Sequence, residues 1–314
     1  MSPGPLRVGV LGLGDIATKA YLPVLARLGD VELTLMSRTP ERVARVGREF
    51  GVGRTTTRRS DLLDAGLDAA FVHASTEAHA DLVAALLGAG VHVLVDKPLA
   101  PSLGEARRLV ELAERRDRSL MVGFNRRYAP AYAGLTALPR SVVIVQKHRT
   151  GLPDEPRRVV FDDFVHVVDT LRFLLPGEEQ RVDIRCVVAD GLLRTVSIGL
   201  YTSAATGLGV MHRVSGAAEE VVEVLGDGHK HRVVDLALVE RQTDGEVRLE
   251  RRGDWTPVPE QRGFAAMCEA FLAAAREGRV LSARDALRTH EICEDVVRAA
   301  GPVQPETDPE AAST

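Results

Sequence analysis

The sequence predicts an α/β protein: a doubly wound parallel sheet in the first half, then an α+β domain of mostly antiparallel strands. Three observations predict it. Apolar strand-like runs alternate with helical stretches up to about residue 140. A glycine loop joins the first run to the first helical stretch. Beyond residue 140 strand patterns follow one another with Asp-Gly turn signals between them. Strands separated by helices need crossover connections and hence a parallel sheet, whereas strands joined by tight turns pair antiparallel.

In chain order, LRVGVLG (6–12) is a short apolar strand and 15–28 is helix-like, with Pro23 expected to kink it. VELTLMS (31–37) is the next strand, and 40–50 reads as a helix with proline in its first turn. DAAFVHA (68–74), VHVLV (91–95) and SLMVGF (119–124) read as strands, separated by helical stretches at 77–89 and 102–117. SVVIVQKHR (141–149) is a strand, a Pro-rich loop follows, and 162–175 is a helix. LLRTVSIGLYT alternates, with Val196, Ile198 and Leu200 on one face and Thr195, Ser197 and Tyr201 on the other. Gly226-Asp227-Gly228 and Asp244-Gly245 mark hairpins. Helices at 262–276 and 283–299 close the chain, and the polar tail 301–314 is expected to be disordered. The domains are expected at 1–140 and 141–300.

Composition excludes several classes. With 45% hydrophobic and 27% charged residues and a net charge of -4, the chain reads as globular, without the basic bias of a nucleic-acid binder. No run reaches the roughly 18 apolar residues of a membrane span, and the N-terminus has no signal-peptide pattern, so a cytoplasmic protein is expected. Cys186, Cys268 and Cys293 are far apart in apolar surroundings, which fits buried thiols in a reducing compartment. The histidines lack metal-ligand spacing, so no metal is expected. Lysine is rare (Lys19, Lys97, Lys147 and Lys230), which makes each one more informative than an arginine.

Gly12-x-Gly14-x-x-Ala17 lies after a strand and opens a helix, the context of a dinucleotide loop. Gly12 allows the tight turn, Gly14 a close approach to a pyrophosphate, and Ala17 close helix packing. An NAD site places an acid at the end of the second strand; here Ser37 stands there, followed by Arg38, Thr39 and Arg42. No carboxylate repels a 2′-phosphate and two arginines can neutralise it, so NADP(H) is favoured over NAD(H). Ser37 and Thr39 also suit a helix cap, and the two roles are compatible.

Ligands of a parallel sheet lie beyond the carboxyl ends of its strands. Those ends carry the glycine loop, then His73, Ala74, Ser75, Thr76 and His79, then Asp96-Lys97-Pro98, then Gly123, Asn125, Arg126 and Arg127. The expected cofactor contacts are Gly12, Gly14, Asp15, Ile16, Ala17, Ser37, Arg38, Thr39, Arg42, Ala74, Ser75, Thr76, His79, Asp96, Lys97 and Asn125. His79 equally suits packing on its own helix, and Arg126 and Arg127 a solvated surface. In FDDFVHVVDTLRFLL, Asp162, His166 and Asp169 recur at i, i+4, i+7 on one face of a mostly apolar helix. Such a stripe faces either a site or an internal pair, with Asp162 or Asp163 as a cap and His166 bonded to Asp169.

The loop, the V-D-K-P stretch, MVGFNRRYAP and D-x-x-x-H together resemble the Gfo/Idh/MocA oxidoreductase family over nearly the whole chain. FVHASTEAH, VHVLVDKPLA, DDFVHVVDT, MHR (211–213) and EQRGF (260–264) look closest to its MviM-type subgroup. The resemblance implies a Rossmann domain plus a C-terminal α+β domain with a large open, mostly antiparallel sheet, and a homodimer or homotetramer formed through that sheet. It implies a cis Lys97–Pro98 bond and catalysis by Lys97, His166 and Asp162. His166 would exchange the hydroxyl proton while the carbinol carbon exchanges hydride with nicotinamide, Lys97 would bond the reacting oxygen, and Asp162 would orient substrate or tune His166. Substrate contacts are expected from Lys97, Arg126, Arg127, Lys147, Asp162 and His166, with Arg149, Arg213 and Arg262 adding positive charge suited to an anionic sugar or polyol. The implied reaction is NADP(H)-dependent hydride transfer on a sugar, polyol or related small molecule. A redox-neutral, NAD-dependent glycosidase and a nucleotide-sensing regulator are the alternatives on this fold. Asp96 stands where the family usually has glutamate, and the sequence offers no reason for the change.

Overall fold

The computed structural model describes residues 4–301, so all but the first residue of the expected tail lies outside the described residues. Six parallel strands form the first sheet: β1 (Leu6–Leu11), β2 (Val31–Met36), β3 (Arg54–Thr56), β4 (Ala69–Val72), β5 (His92–Val95) and β6 (Leu120–Val122). Their order, β3-β2-β1-β4-β5-β6, reverses direction between β1 and β4, the switch point at which ligands bind in this topology. β3 and the short helix Arg59–Asp64 were not expected. β3 is a polar, three-residue edge strand with no apolar run to betray it.

The helices follow from local chemistry. Pro40 occupies the first turn of the helix Pro40–Phe50, which ends at Gly51 in the left-handed region. Ser102 caps the helix Leu103–Arg116: its Oγ accepts from the Glu105 amide and donates to the Glu105 carboxylate at 2.7 Å. After the glycine loop the chain widens into a π-helical turn, Ala17–Tyr21, before Leu22–Leu25. Pro23 lacks the N–H that an α-helix would donate four residues back, so the irregularity expected there takes this form.

The second sheet contains β7 (Val142–Lys147), β8 (Arg181–Ala189), β9 (Leu192–Tyr201), β10 (Thr206–His212), β11 (Glu220–Gly226), β12 (His229–Val234), β13 (Leu238–Thr243) and β14 (Glu246–Arg251). Its order is β14-β13-β12-β11-β7-β10-β9-β8, with β7 and β10 parallel and the other neighbours antiparallel. Asp244 and Gly245, at φ 53° and 82°, make the β13–β14 turn, and Asp190 and Gly191, at 53° and 74°, repeat it between β8 and β9. Val196, Ile198 and Leu200 are buried beneath the helix Val165–Leu174.

That helix does not begin at Asp162. It is reached through Pro156–Val159 and a second π-helical turn, Val160–Phe164. The wider turn shifts the phase of the expected stripe. Asp163 is turned inward, the Asp162 carboxylate is exposed, and Asp169 is buried far from both.

The expected division at residue 140 also needs correction. The chain crosses back: Met267, Cys268, Phe271 and Leu272 of the helix Phe264–Arg276 share a core with Val8, Val10, Leu35 and Phe71 of the first sheet. The final helix, Arg284–Ala299, lies between the halves, and His290 Nε2 accepts from the Leu99 amide at 2.7 Å.

Arg127, expected at the substrate, belongs to this seam. It forks onto Asp169 at 2.9 and 2.6 Å and reaches Asp285 at 2.6 Å, while Thr289 donates to Asp169. Breaking a buried ion pair from one side costs about 3–5 kcal/mol. Arg127→Ala is therefore expected to lower unfolding free energy in urea by roughly 3 kcal/mol while KM for substrate and cofactor stays near wild type. A tenfold rise in KM at unchanged stability would return Arg127 to the substrate.

Candidate active site

The carboxyl ends of β1, β4, β5 and β6 border a crevice of about 590 Å³. Its walls include Ile16, His73, Thr76, His79, Lys97 and Gly123 from the first half and Lys147, Arg149, Asp162, Asp163 and His166 from the second.

The glycine loop forms one end. Gly12 has φ 88°, and a Cβ there would stand 2.6 Å from the His73 carbonyl and the Ala74 nitrogen. Only glycine satisfies both restrictions. A Cβ on Gly14 would meet nothing within 4 Å, so the space above the loop is open. Ala17 is fully buried, and Arg42 Nη1 donates to the Leu13 carbonyl at 3.2 Å, which places its guanidinium over the loop. Ser37 accepts from the Thr39 amide at 3.4 Å, and Arg38 is exposed. Ile16 offers an exposed apolar side chain to the crevice. Asp15 pairs with Lys19 on the surface, and Ser75 is exposed at the start of the helix Thr76–Gly88. An open cradle over glycine, an apolar wall and a nearby guanidinium fit a nicotinamide dinucleotide.

Asp96 turns away from the crevice. Its Oδ1 accepts from the Tyr21 hydroxyl at 2.7 Å and its Oδ2 lies 2.8 Å from His73 Nδ1. Burial alone would push this carboxyl up, but His73 and Tyr21 outweigh it and hold the group below the usual range. A Cβ on Gly123 would come within 2.8 Å of the Tyr21 hydroxyl and 3.0 Å of Asp96 Oδ1, so the glycine leaves room for this triangle. His79 is likewise internal: its nitrogens lie 2.8 Å from the Pro98 carbonyl and 3.0 Å from that of Ala74. The Lys97–Pro98 bond is cis. Asn125 donates to the Arg262 carbonyl at 2.8 Å and so ties the β6 turn to the segment leading into the helix Phe264–Arg276.

Lys97 crosses to the second half. Its Nζ donates to the carbonyl of Asp162 at 2.6 Å and lies 3.4 Å from that of Phe161, both in the second π-helical turn. Burial pushes the Lys97 ammonium down, and Asp162, Asp96 and Asp163 act against it. The Asp162 carboxylate is exposed at the mouth, 3.7 Å from Arg158.

Beneath His166 lies a buried ion cluster. Asp163 accepts from Arg149 Nε and Nη2 at 2.7 and 2.9 Å, from Arg213 Nη1 at 2.7 Å, and from Lys147 at 2.8 Å. Glu220 accepts from Arg126 Nε and Nη2 at 2.7 Å each and from the Tyr132 hydroxyl at 3.1 Å. Burial raises both carboxyls in isolation, but their cationic partners hold Asp163 far below the carboxylate range and Glu220 at about 2. Burial and Arg126 push Lys147 down to about 8. His166 makes no side-chain hydrogen bond among the described residues, so neither an Asp162 nor an Asp169 partner fixes it. Burial, then Arg126, Lys147, Lys97 and Arg149, push its imidazole well below the ordinary range. The ring is neutral: a free base beside the Lys97 ammonium.

Of the expected residues, Lys97, Asp162, His166, Lys147 and Arg126 meet at the crevice and Arg127 does not. Tyr21 and Glu220 went unread, and Asp163 was read only as a possible cap. Among the described residues no helix is long and apolar enough to cross a membrane, and no group of three or more His, Cys, Asp or Glu is placed to hold a metal.

Comparison with known proteins agrees with this geometry. Residues 6–124 match the GFO_IDH_MocA family, described as an oxidoreductase family with an NAD-binding Rossmann fold, and residues 130–244 match the YceM-like C-terminal domain. The chain is 36% identical over 280 residues to "Putative oxidoreductase YceM" of Salmonella typhimurium, covering 85% of this chain and 88% of that protein. It is 30% identical over 227 residues to the myo-inositol 2-dehydrogenase of Thermotoga maritima, covering 68% of this chain and 66% of that protein. Its fold superposes on the dehydrogenase MviM of Clostridium difficile with a TM-score of 0.89 and 27% identity, over 94% of this chain and 99% of that one. A Rossmann sheet with its glycine loop, a mostly antiparallel second sheet and a lysine–histidine crevice between them thus belong to an oxidoreductase of the Gfo/Idh/MocA family with a YceM-like C-terminal domain.

Proposed function

We propose that the crevice catalyses NADP(H)-dependent hydride transfer at a hydroxyl or carbonyl carbon of a sugar or polyol. The observation that carries this reading is the pairing of a charged Lys97 with a neutral, unbonded His166 in one crevice beside the glycine loop. The relative named for myo-inositol supports the substrate class.

Gly12, Gly14, Ile16 and Ala17 would hold the dinucleotide, with Arg38 and Arg42 near its ribose. When bound, the nicotinamide supplies the hydride acceptor or donor. The chain supplies the rest. In oxidation His166 takes the substrate hydroxyl proton, for which a neutral imidazole is required. Lys97 has three N–H donors and two carbonyl contacts, so one donor remains for the substrate oxygen, where negative charge develops. Reduction reverses both roles, and His166 then has to be protonated. Asp162, at the mouth, would contact substrate without touching His166.

Three outcomes test this. His166→Ala and Lys97→Ala are each expected to lower kcat by about 10²-fold or more with NADPH binding retained; intact turnover in both would end the assignment. The pH profile follows from the direction of the His166 shift. Because its pKa is depressed, the base stays neutral below pH 6.5, so kcat/KM for oxidation should be flat from pH 7, beneath the titration of Lys147 at about 8, to below 6.5, and the reductive rate should rise as pH falls. A half-loss of oxidative activity near pH 6.5 contradicts this. Finally, NADPH should bind tighter than NADH, and Arg42→Ala should remove roughly tenfold of that preference, about 1.4 kcal/mol, in a fluorescence titration. Tighter NADH binding would make NAD(H) the cofactor. Release of nitrophenol from glycosides by enzyme with retained cofactor would favour the redox-neutral alternative.

A further inference from the structure

A side cavity of about 150 Å³ adjoins the crevice. Arg126, Lys147, Arg149 and Arg262 line both spaces. The buried acids of this region have no acceptor capacity to spare. A carboxylate offers about four lone-pair sites. Asp163 fills four, with two from Arg149 and one each from Arg213 and Lys147. Glu220 fills three and faces Lys147 at 3.7 Å as the fourth. Asp235, an exposed acid also on the cavity wall, accepts at Oδ1 from the Glu220 amide at 2.9 Å. Glu219 is the remaining acid on that wall.

Donors, in contrast, are in surplus. A guanidinium has five N–H groups in a fork. Arg126 and Arg149 each spend Nε and Nη2 on a carboxylate, and the Nη1 of each is left over. The Arg262 side chain is exposed and makes no hydrogen bond or ion pair among the described residues. The wall carries four cations against three acids, its buried acid Glu220 is fully engaged and guanidinium donors are left over, which complements a compact, acceptor-rich anion.

We propose that this side cavity receives an anionic group of the substrate, a carboxylate or a phosphate, so that the molecule oxidised or reduced between Lys97 and His166 is a polyhydroxy acid or a phosphorylated polyol. The inference rests on the dehydrogenase reading of the crevice and adds the substrate's charge to it. It gives the cationic surround of His166 a purpose. Four cations depress the basicity of the ring. An anion bound among them offsets that field, so substrate binding strengthens the base when it is needed.

The test compares D-glucitol, D-gluconate and D-glucitol 6-phosphate, one carbon chain with a neutral, a carboxylate or a phosphate end. Binding to the full chain saturated with NADP⁺ is measured by calorimetry at low and high salt. At least one anion should bind tenfold or more tighter than D-glucitol, with the advantage shrinking as salt rises; which one does separates carboxylate from phosphate. Arg262→Glu should cut that advantage below threefold. NMR of the His166 ring should show its titration moving up on adding the preferred anion and staying put with D-glucitol. Equal or weaker binding of both anions, undetectable binding included, overturns the proposal, as does an advantage that survives Arg262→Glu combined with Arg149→Gln. Absence of any NADPH or NADH binding would sink the dehydrogenase reading instead. The anion-to-neutral ratio on the cofactor-free chain would still decide the side cavity.

Discussion

The site depends on one electrostatic constraint: four cations are gathered in one interior, and two carboxylates, Asp163 and Glu220, make that possible. Taking a charge out of water costs several kcal/mol unless a partner and hydrogen bonds offset it. Asp163 collects Lys147, Arg149 and Arg213, and Glu220 collects Arg126. The partners come from distant places. Arg126 follows β6 in the Rossmann half, Lys147 ends β7, and Glu220 opens β11. The cluster therefore fixes where the two halves meet. It also fixes chemistry, because neutral His166 stands at its edge and feels mainly cations.

Two departures from regular helix serve that arrangement. The π-helical turn Ala17–Tyr21 brings the Tyr21 hydroxyl to Asp96. The turn Val160–Phe164 sends Asp163 inward, Asp162 outward, and leaves the carbonyls of Phe161 and Asp162 for Lys97. A backbone carbonyl has two lone pairs, so it can accept from another chain segment within a helical turn. Lys97 thus bridges the halves by a bond that still leaves it one donor.

Legibility in the sequence followed range. The glycine loop, the Asp-Gly turn before β14 and five of the six strands of the first sheet are specified by neighbours within a few positions, and each was read close to its place; the three-residue β3 was not. Lys97 and His166 were read because a strand end and a polar residue on an apolar helix are local signals. Glu220 was not, since its partner Arg126 is 94 positions away and nothing around it is unusual. Tyr21, 75 positions from Asp96, looked like any core aromatic. The choice between Asp162 and Asp163 depends on a π-helical turn that a 3.6-residue period does not contain. Arg127 and the return of the helix Phe264–Arg276 to the first sheet are decided by which apolar and charged faces meet after folding.

Asp96 shows how the two levels combine. The sequence marks it as a departure from the family's usual glutamate, and the geometry supplies the reason. The shorter side chain keeps the carboxylate under the crevice floor, where Tyr21 and His73 occupy both oxygens and Gly123 leaves the space. An acid bound in this way cannot swing out to neutralise Lys97 in a contact pair. It is held below the usual carboxylate range, and after Asp162 its charge opposes the burial that pushes the Lys97 ammonium down. With His79 beside the Pro98 carbonyl and His290 accepting from the Leu99 amide, the segment that carries Lys97 is held on both sides. Nearby carboxylates support the charge of the lysine while only backbone carbonyls touch it, which is the arrangement the proposed donor to a developing alkoxide requires.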